Sequence, residues 1–97
     1  MLKNGGIYSM KGKKYYYFVC VDTSNCNYVY GHYVYFLREI ATQDAICQIL
    51  ADPKDFMYFT KYPYSYLEEE NDGYLGQIPN ALLTRFQERL HEQGLKK

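Results

Sequence analysis

"KKYYYFVCV", residues 13–21, sets three consecutive tyrosines behind two lysines, and the rest of the chain is read outward from it. Aromatic and β-branched side chains that follow the flexible stretch "KGKK" at residues 11–14 read as a strand entered from a tight turn. Side chains alternate along a strand, so Tyr15, Tyr17, Val19 and Val21 share one face and Lys14, Tyr16, Phe18 and Cys20 the other. Both faces are apolar, with Tyr15 and Tyr17 leaning toward a core and Tyr16, beside Lys14, toward a surface.

Upstream, "IYSM" at residues 7–10 completes a hairpin with Lys11 and Lys13 at its tip. Downstream, "DTSNCN" is a cluster of turn formers ahead of "YVYGHYVYFL" at residues 28–37, a third aromatic strand. The first 37 residues therefore read as a three-stranded antiparallel meander. A two-residue turn at Ser24-Asn25 places Cys20 opposite Val29, Phe18 opposite Gly31, Tyr16 opposite Tyr33 and Lys14 opposite Tyr35. The other face then gathers Val19, Val21, Tyr28, Tyr30, Val34 and Phe36 as the core. A slip of one residue exchanges the two faces.

Beyond the meander, "TQDAICQILADP" has a cap at Thr42, apolar Ala45, Ile46, Ile49 and Leu50 at helical spacing, and a stop before Pro53. "DFMYFT", residues 55–60, reads as a fourth strand. The segment "KYPYSYLEEENDGYLGQ" is polar, broken by Pro63, Gly73 and Gly76, and reads as a long connection of the kind that often carries function. "IPNALLTRFQERLHEQGL" is an amphipathic helix starting at Pro79 or Asn80, with Leu82, Leu83, Phe86 and Leu90 in one stripe and Gly94 and Leu95 closing its end. The fold class that follows is α+β: a small antiparallel sheet, three-stranded N-terminal meander plus a fourth strand, packed against two helices. At 97 residues the chain is one compact domain, residues 1–97.

Of 18 aromatic residues 13 are tyrosine, so most of the ring area is amphipathic and suited to a surface. The formal charge is zero, which argues against a dedicated duplex-DNA binder. It is unevenly spread. Residues 1–38 hold five bases against one acid, residues 39–80 eight acids against two bases, and residues 81–97 four bases against two acids. An odd number of cysteines and an N-terminus without a long apolar stretch point to a reduced, cytoplasmic setting. No apolar run approaches the roughly 18–20 residues that cross a bilayer, so no membrane partner is expected.

The inventory for catalysis is thin. Cys20, Cys26 and His32 are spaced by six residues, but the chain lacks the close cysteine pairs of structural zinc sites, and inert cysteines are the plainer reading. "EEENDG" spaces Glu68, Glu70 and Asp72 like the opening of a calcium loop, yet its twelfth position, which needs a bidentate Glu, is Pro79. "GYLGQIPN" has neither the lysine nor the preceding strand of a phosphate loop. No catalytic residue, metal ligand or cofactor is assigned.

Two surfaces remain. Tyr62, Tyr64 and Tyr66 alternate along a loop beside Glu68, Glu69, Glu70 and Asp72, and tyrosine gives large, rigid contact area at low entropy cost. Such a loop either packs back on the sheet or suits a protein partner with a basic surface, for instance a nucleic-acid-processing enzyme blocked by a small inhibitor or immunity-type protein. Lys13, Lys14, Tyr16, Tyr33 and Tyr35 form a second surface, on which single-stranded nucleic acid would stack its bases and pair its phosphates. The expected function is a small non-enzymatic protein-binding module, with single-stranded nucleic-acid binding as the alternative; the oligomeric state stays open.

Overall fold

The computed structural model describes residues 2–35, 42–50, 59–68 and 73–92. The meander forms as expected: β1 is Gly6–Met10, β2 is Tyr16–Asp22 and β3 is Tyr28–Tyr35, each antiparallel to the next. Helix α1 is Gln43–Leu50, and the Ala45 amide donates to Thr42 Oγ1 at 3.2 Å, so the expected cap closes its first turn. Strand β4 is Thr60–Pro63, paired with β3. The expected fourth strand overlaps it only at Thr60, and residues 55–58 lie outside the described residues, as do Phe36, Pro53, Gly94 and Leu95. Helix α2 is Asn80–Glu92, with Leu82, Phe86 and Leu90 buried.

The stretch read as a long connection is instead mostly strand. A 3₁₀ turn at Tyr64–Tyr66 follows β4, then β5, Leu67–Glu68, and β6, Tyr74–Gln77. Both β5 and β6 pair with β1, one along its second half and one along its first. They are two and four residues long, too short for an alternating pattern to stand out between Pro63, Gly73 and Gly76. What fixes them is the free edge of β1. At Gly73 a Cβ would collide with the Glu68 backbone, so only glycine lets the chain return to β1 there after residues 69–72.

The sheet order is β4-β3-β2-β1-β5, with β6 beside β1 as well. The edge strands β4 and β5 are joined only by the three residues of the 3₁₀ turn. Laid flat, edges four strand spacings apart would be about 19 Å distant, whereas the four Cα steps from Pro63 to Leu67 reach at most about 14 Å. The sheet therefore curls, bringing its two edges toward one another.

Curling gives the sheet two cores. On one face Ile7, Val19, Val21 and Val34 pack against Ile46 and Leu50 of α1 and Leu82, Phe86 and Leu90 of α2. The other face has no described helix over it. There Tyr8, Met10, Phe18, Cys20, Val29 and Leu67 cluster under Leu2, with Tyr16, Tyr62 and Tyr64 half-buried around them. The alternation read along β2 is thus correct: Tyr17, Val19 and Val21 meet the helices, and Tyr16, Phe18 and Cys20 the second cluster.

The register between β2 and β3 differs by two residues from the tight-turn expectation. Cys20 pairs with Gly31, Phe18 with Tyr33 and Tyr16 with Tyr35, and a bulge separates Cys20 from Asp22. The cause lies in the loop. Asp22 Oδ1 accepts from the Ser24 amide at 2.9 Å and Asn25 Oδ1 from the Asn27 amide at 2.7 Å, side-chain turns that lengthen the connection. A shift of two preserves the faces. Tyr30 and Val34 consequently join the helix-side core as expected, while Tyr28 stays exposed.

Candidate functional site

The second face is where most of the sequence-assigned tyrosines gather. Tyr16 is bracketed by Tyr33 and Tyr35 of β3, with ring centroids at 6.3 and 4.7 Å. Tyr33 and Tyr35 remain 48% and 49% exposed, so roughly half of each ring is open to a partner. Lys13 Nζ lies 5.8 Å from the Tyr16 ring centre and Lys14 Nζ 5.1 Å from that of Tyr15, both within cation–π range. The five residues Lys13, Lys14, Tyr16, Tyr33 and Tyr35 thus occupy one end of β2 and β3 and the turn before them.

Phe18 is the floor of this surface. It is fully buried, its ring lies over Gly31, where an added Cβ would come within 2.8 Å of it, and it stacks on Tyr62 at 5.4 Å. Tyr62 in turn meets Tyr66 edge-on at 5.9 Å, and Tyr66 is 55% exposed. The sequence left two readings of the alternating Tyr62, Tyr64 and Tyr66: a loop surface for a partner, or rings packed back on the sheet. The fold divides them: Tyr62 and Tyr64 pack back on the sheet, and the Tyr64 hydroxyl accepts from the Leu2 amide at 2.9 Å, while Tyr66 faces solvent. Tyr66 is joined to the lysine-bearing turn through its carbonyl, which accepts from the Lys11 amide at 2.8 Å.

Of the acidic run, Glu68 pairs with Ser9 on β1, half-buried; Glu69, Glu70 and Asp72 lie outside the described residues. Leu67 belongs to the second-face cluster, so Glu68, the next residue along β5, points to the other side.

A thiolate and imidazole pair between Cys20 and His32 is excluded by the register. Cys20 is on the second face, whereas His32, opposite Val19, stands near Phe59 of the helix-side core at 6.2 Å. Cys26 is exposed in the β2–β3 loop and Cys47 is half-buried on α1. Burial first, and the Asp44 carboxylate second, push the Cys47 thiol above its ordinary pKa. Near neutral pH it therefore holds less thiolate than an ordinary cysteine. Alkylation followed by mass spectrometry should label Cys26 first, Cys47 more slowly, and Cys20 only on unfolding; Cys20 labelling at the Cys26 rate in the folded chain would contradict its burial. Among the described residues, a shallow groove on α2 is lined by Thr84, Gln87, Glu88, His91 and Glu92, all from that helix.

No family model, curated protein or solved structure matches the chain. Geometry and chemistry alone carry the functional reading. No described helix is long and apolar enough to cross a membrane.

Proposed function

We propose that the chain is a non-enzymatic binding protein that docks another protein on its second sheet face. The observation that carries this is the pair of half-exposed rings of Tyr33 and Tyr35, joined through Tyr16 to the lysine-bearing turn and set beside a buried Phe18 floor. Rigid tyrosines over a packed base bind at low entropic cost, because the rings are already held before the partner arrives. The separation of Cys20 from His32 by the sheet supports a binding role over a covalent one. An inhibitor-type version adds Glu68 and the carboxylates at 69, 70 and 72 as a contact for a basic, nucleic-acid-binding enzyme surface; its support is the charge of the sequence.

Affinity capture from the source cell, with wild-type and Tyr33→Ser/Tyr35→Ser baits side by side, tests the docking role. A protein held by the first and reduced about tenfold or more on the second is the expected result. Equal recovery on both baits removes the tyrosine face from the account. A third bait with Glu68, Glu69, Glu70 and Asp72 changed to Ala decides the acidic contact separately, since undiminished recovery on it leaves the tyrosine face as the sole contact.

A further inference from the structure

We propose that the segment docked on this face is an acidic, extended peptide of the partner, its carboxylates over the turn at residues 11–15 and its apolar side chains on Tyr33 and Tyr35. This rests on the docking reading and adds to it the chemistry of the partner. The first ground is charge. Lys11, Lys13 and Lys14 are all exposed on the turn that borders the rings. The described carboxylates stand elsewhere: Asp22 is buried at the far end of β2, Glu68 points to the other side of β5, and Asp44, Glu88 and Glu92 are on the helices. Among the described residues, then, the exposed end of the tyrosine face is cationic and meets no carboxylate of its own.

The second ground is the backbone of the turn. Tyr15 has φ 70°, in the left-handed region, where a bulky side chain is costly. Strain of this kind persists where surrounding structure holds a residue to a task. Here it sits between Lys14, whose ammonium lies over the Tyr15 ring, and Tyr16, whose ring receives Lys13. Both ammonium groups are thereby kept at the margin of the aromatic surface, where a carboxylate reaching them brings its neighbours onto the rings.

A peptide fits this geometry better than a nucleic acid. Tyr16 and its two neighbours lean on one another at tilted and edge-on angles, which occupies ring surface that successive bases would need. Three of the lysines of this face, Lys11, Lys13 and Lys14, are gathered in one turn, and Lys3 stands apart from them beside Tyr74, whereas a phosphate backbone asks for cations spaced along its length.

The test is an amide NMR titration of the full chain with three probes: a short peptide of alternating Glu and Leu, the same peptide with Gln for Glu, and a short oligothymidylate. The Glu peptide should shift the amides of residues 11–16 and 33–35 and weaken severalfold between about 50 and about 300 mM NaCl. Lys13→Glu/Lys14→Glu, both at exposed positions, should keep the folded spectrum and lose about tenfold in affinity for it. Equal binding of the Gln peptide overturns the acidic assignment while leaving the docking role standing. Tighter binding of the oligothymidylate overturns it in favour of nucleic acid. The same amides shifting with protein concentration alone would mean that a second copy covers the face, and no shift with any probe also overturns the inference, leaving the docking role to the capture experiment.

Discussion

Phe18→Ala is expected to cost about 3–5 kcal/mol of folding free energy, and with it the shape of the tyrosine face. Phe18 is fully buried, and its ring lies over Gly31, where the main chain comes too close for any side chain. Truncation leaves a void that the backbone of β3 cannot fill, because Gly31 has no side chain to offer and the β2–β3 pairing holds the strands at fixed separation. Tyr62 loses its stacking partner, and Tyr33, directly opposite Phe18, loses part of its support. A domain of this size holds about 5–15 kcal/mol, so the variant should remain folded at low temperature but unfold at much lower urea. A loss below about 1 kcal/mol would show that the second cluster does not behave as a core. Gly31→Ala should also destabilise, since its new Cβ meets the Val19 carbonyl before it meets the ring.

The same pair of residues shows what was legible in the sequence. Period-two alternation in "KKYYYFVCV" placed the side chains of residues 16–21 on their correct faces, because the two sides of a strand are a local property of the chain. Tyr15, read toward the core, instead lies in the turn before β2 and joins neither cluster. The meander, α1 with its Thr42 cap, and the Leu82, Phe86 and Leu90 stripe were legible for the same reason. The register was not: it depended on Asp22 and Asn25 bonding to nearby amides, and several loop lengths accept those residues. Nor were β5 and β6, whose identity as strands comes from the edge of β1, more than 50 residues away. The candidate surface follows suit. Tyr16, Tyr33 and Tyr35 were placed together by parity alone, which a two-residue slip leaves intact. Tyr62 and Tyr64 were placed on a loop because nothing local announces that the sheet curls and carries them onto its own second face.

Phe86→Ala should cost a similar amount, about 3–5 kcal/mol, and yet spare the surface that Phe18→Ala disrupts. Phe86 is 5% exposed on α2 and its ring meets Phe59 at 5.6 Å, in the core on the helix side of the sheet. Its loss weakens the docking of α2 against β2, where Gln87 Nε2 also donates to the Val21 carbonyl. Between that core and the tyrosines stands the backbone of β2 and β3, whose hydrogen bonds neither substitution removes. Two variants of matched stability on opposite faces therefore separate folding from binding. Compared under conditions where both are folded, Phe18→Ala should displace the amide resonances of Tyr33 and Tyr35 and weaken any ligand of that face. Phe86→Ala should displace those of α2 and leave affinity near wild type. Because the two residues belong to separate clusters, their stability losses should add to within about 0.5 kcal/mol in the double variant. Equal damage to binding from both would mean that the sheet passes strain from one side to the other, and that the tyrosine face is rigid only as long as α2 is in place.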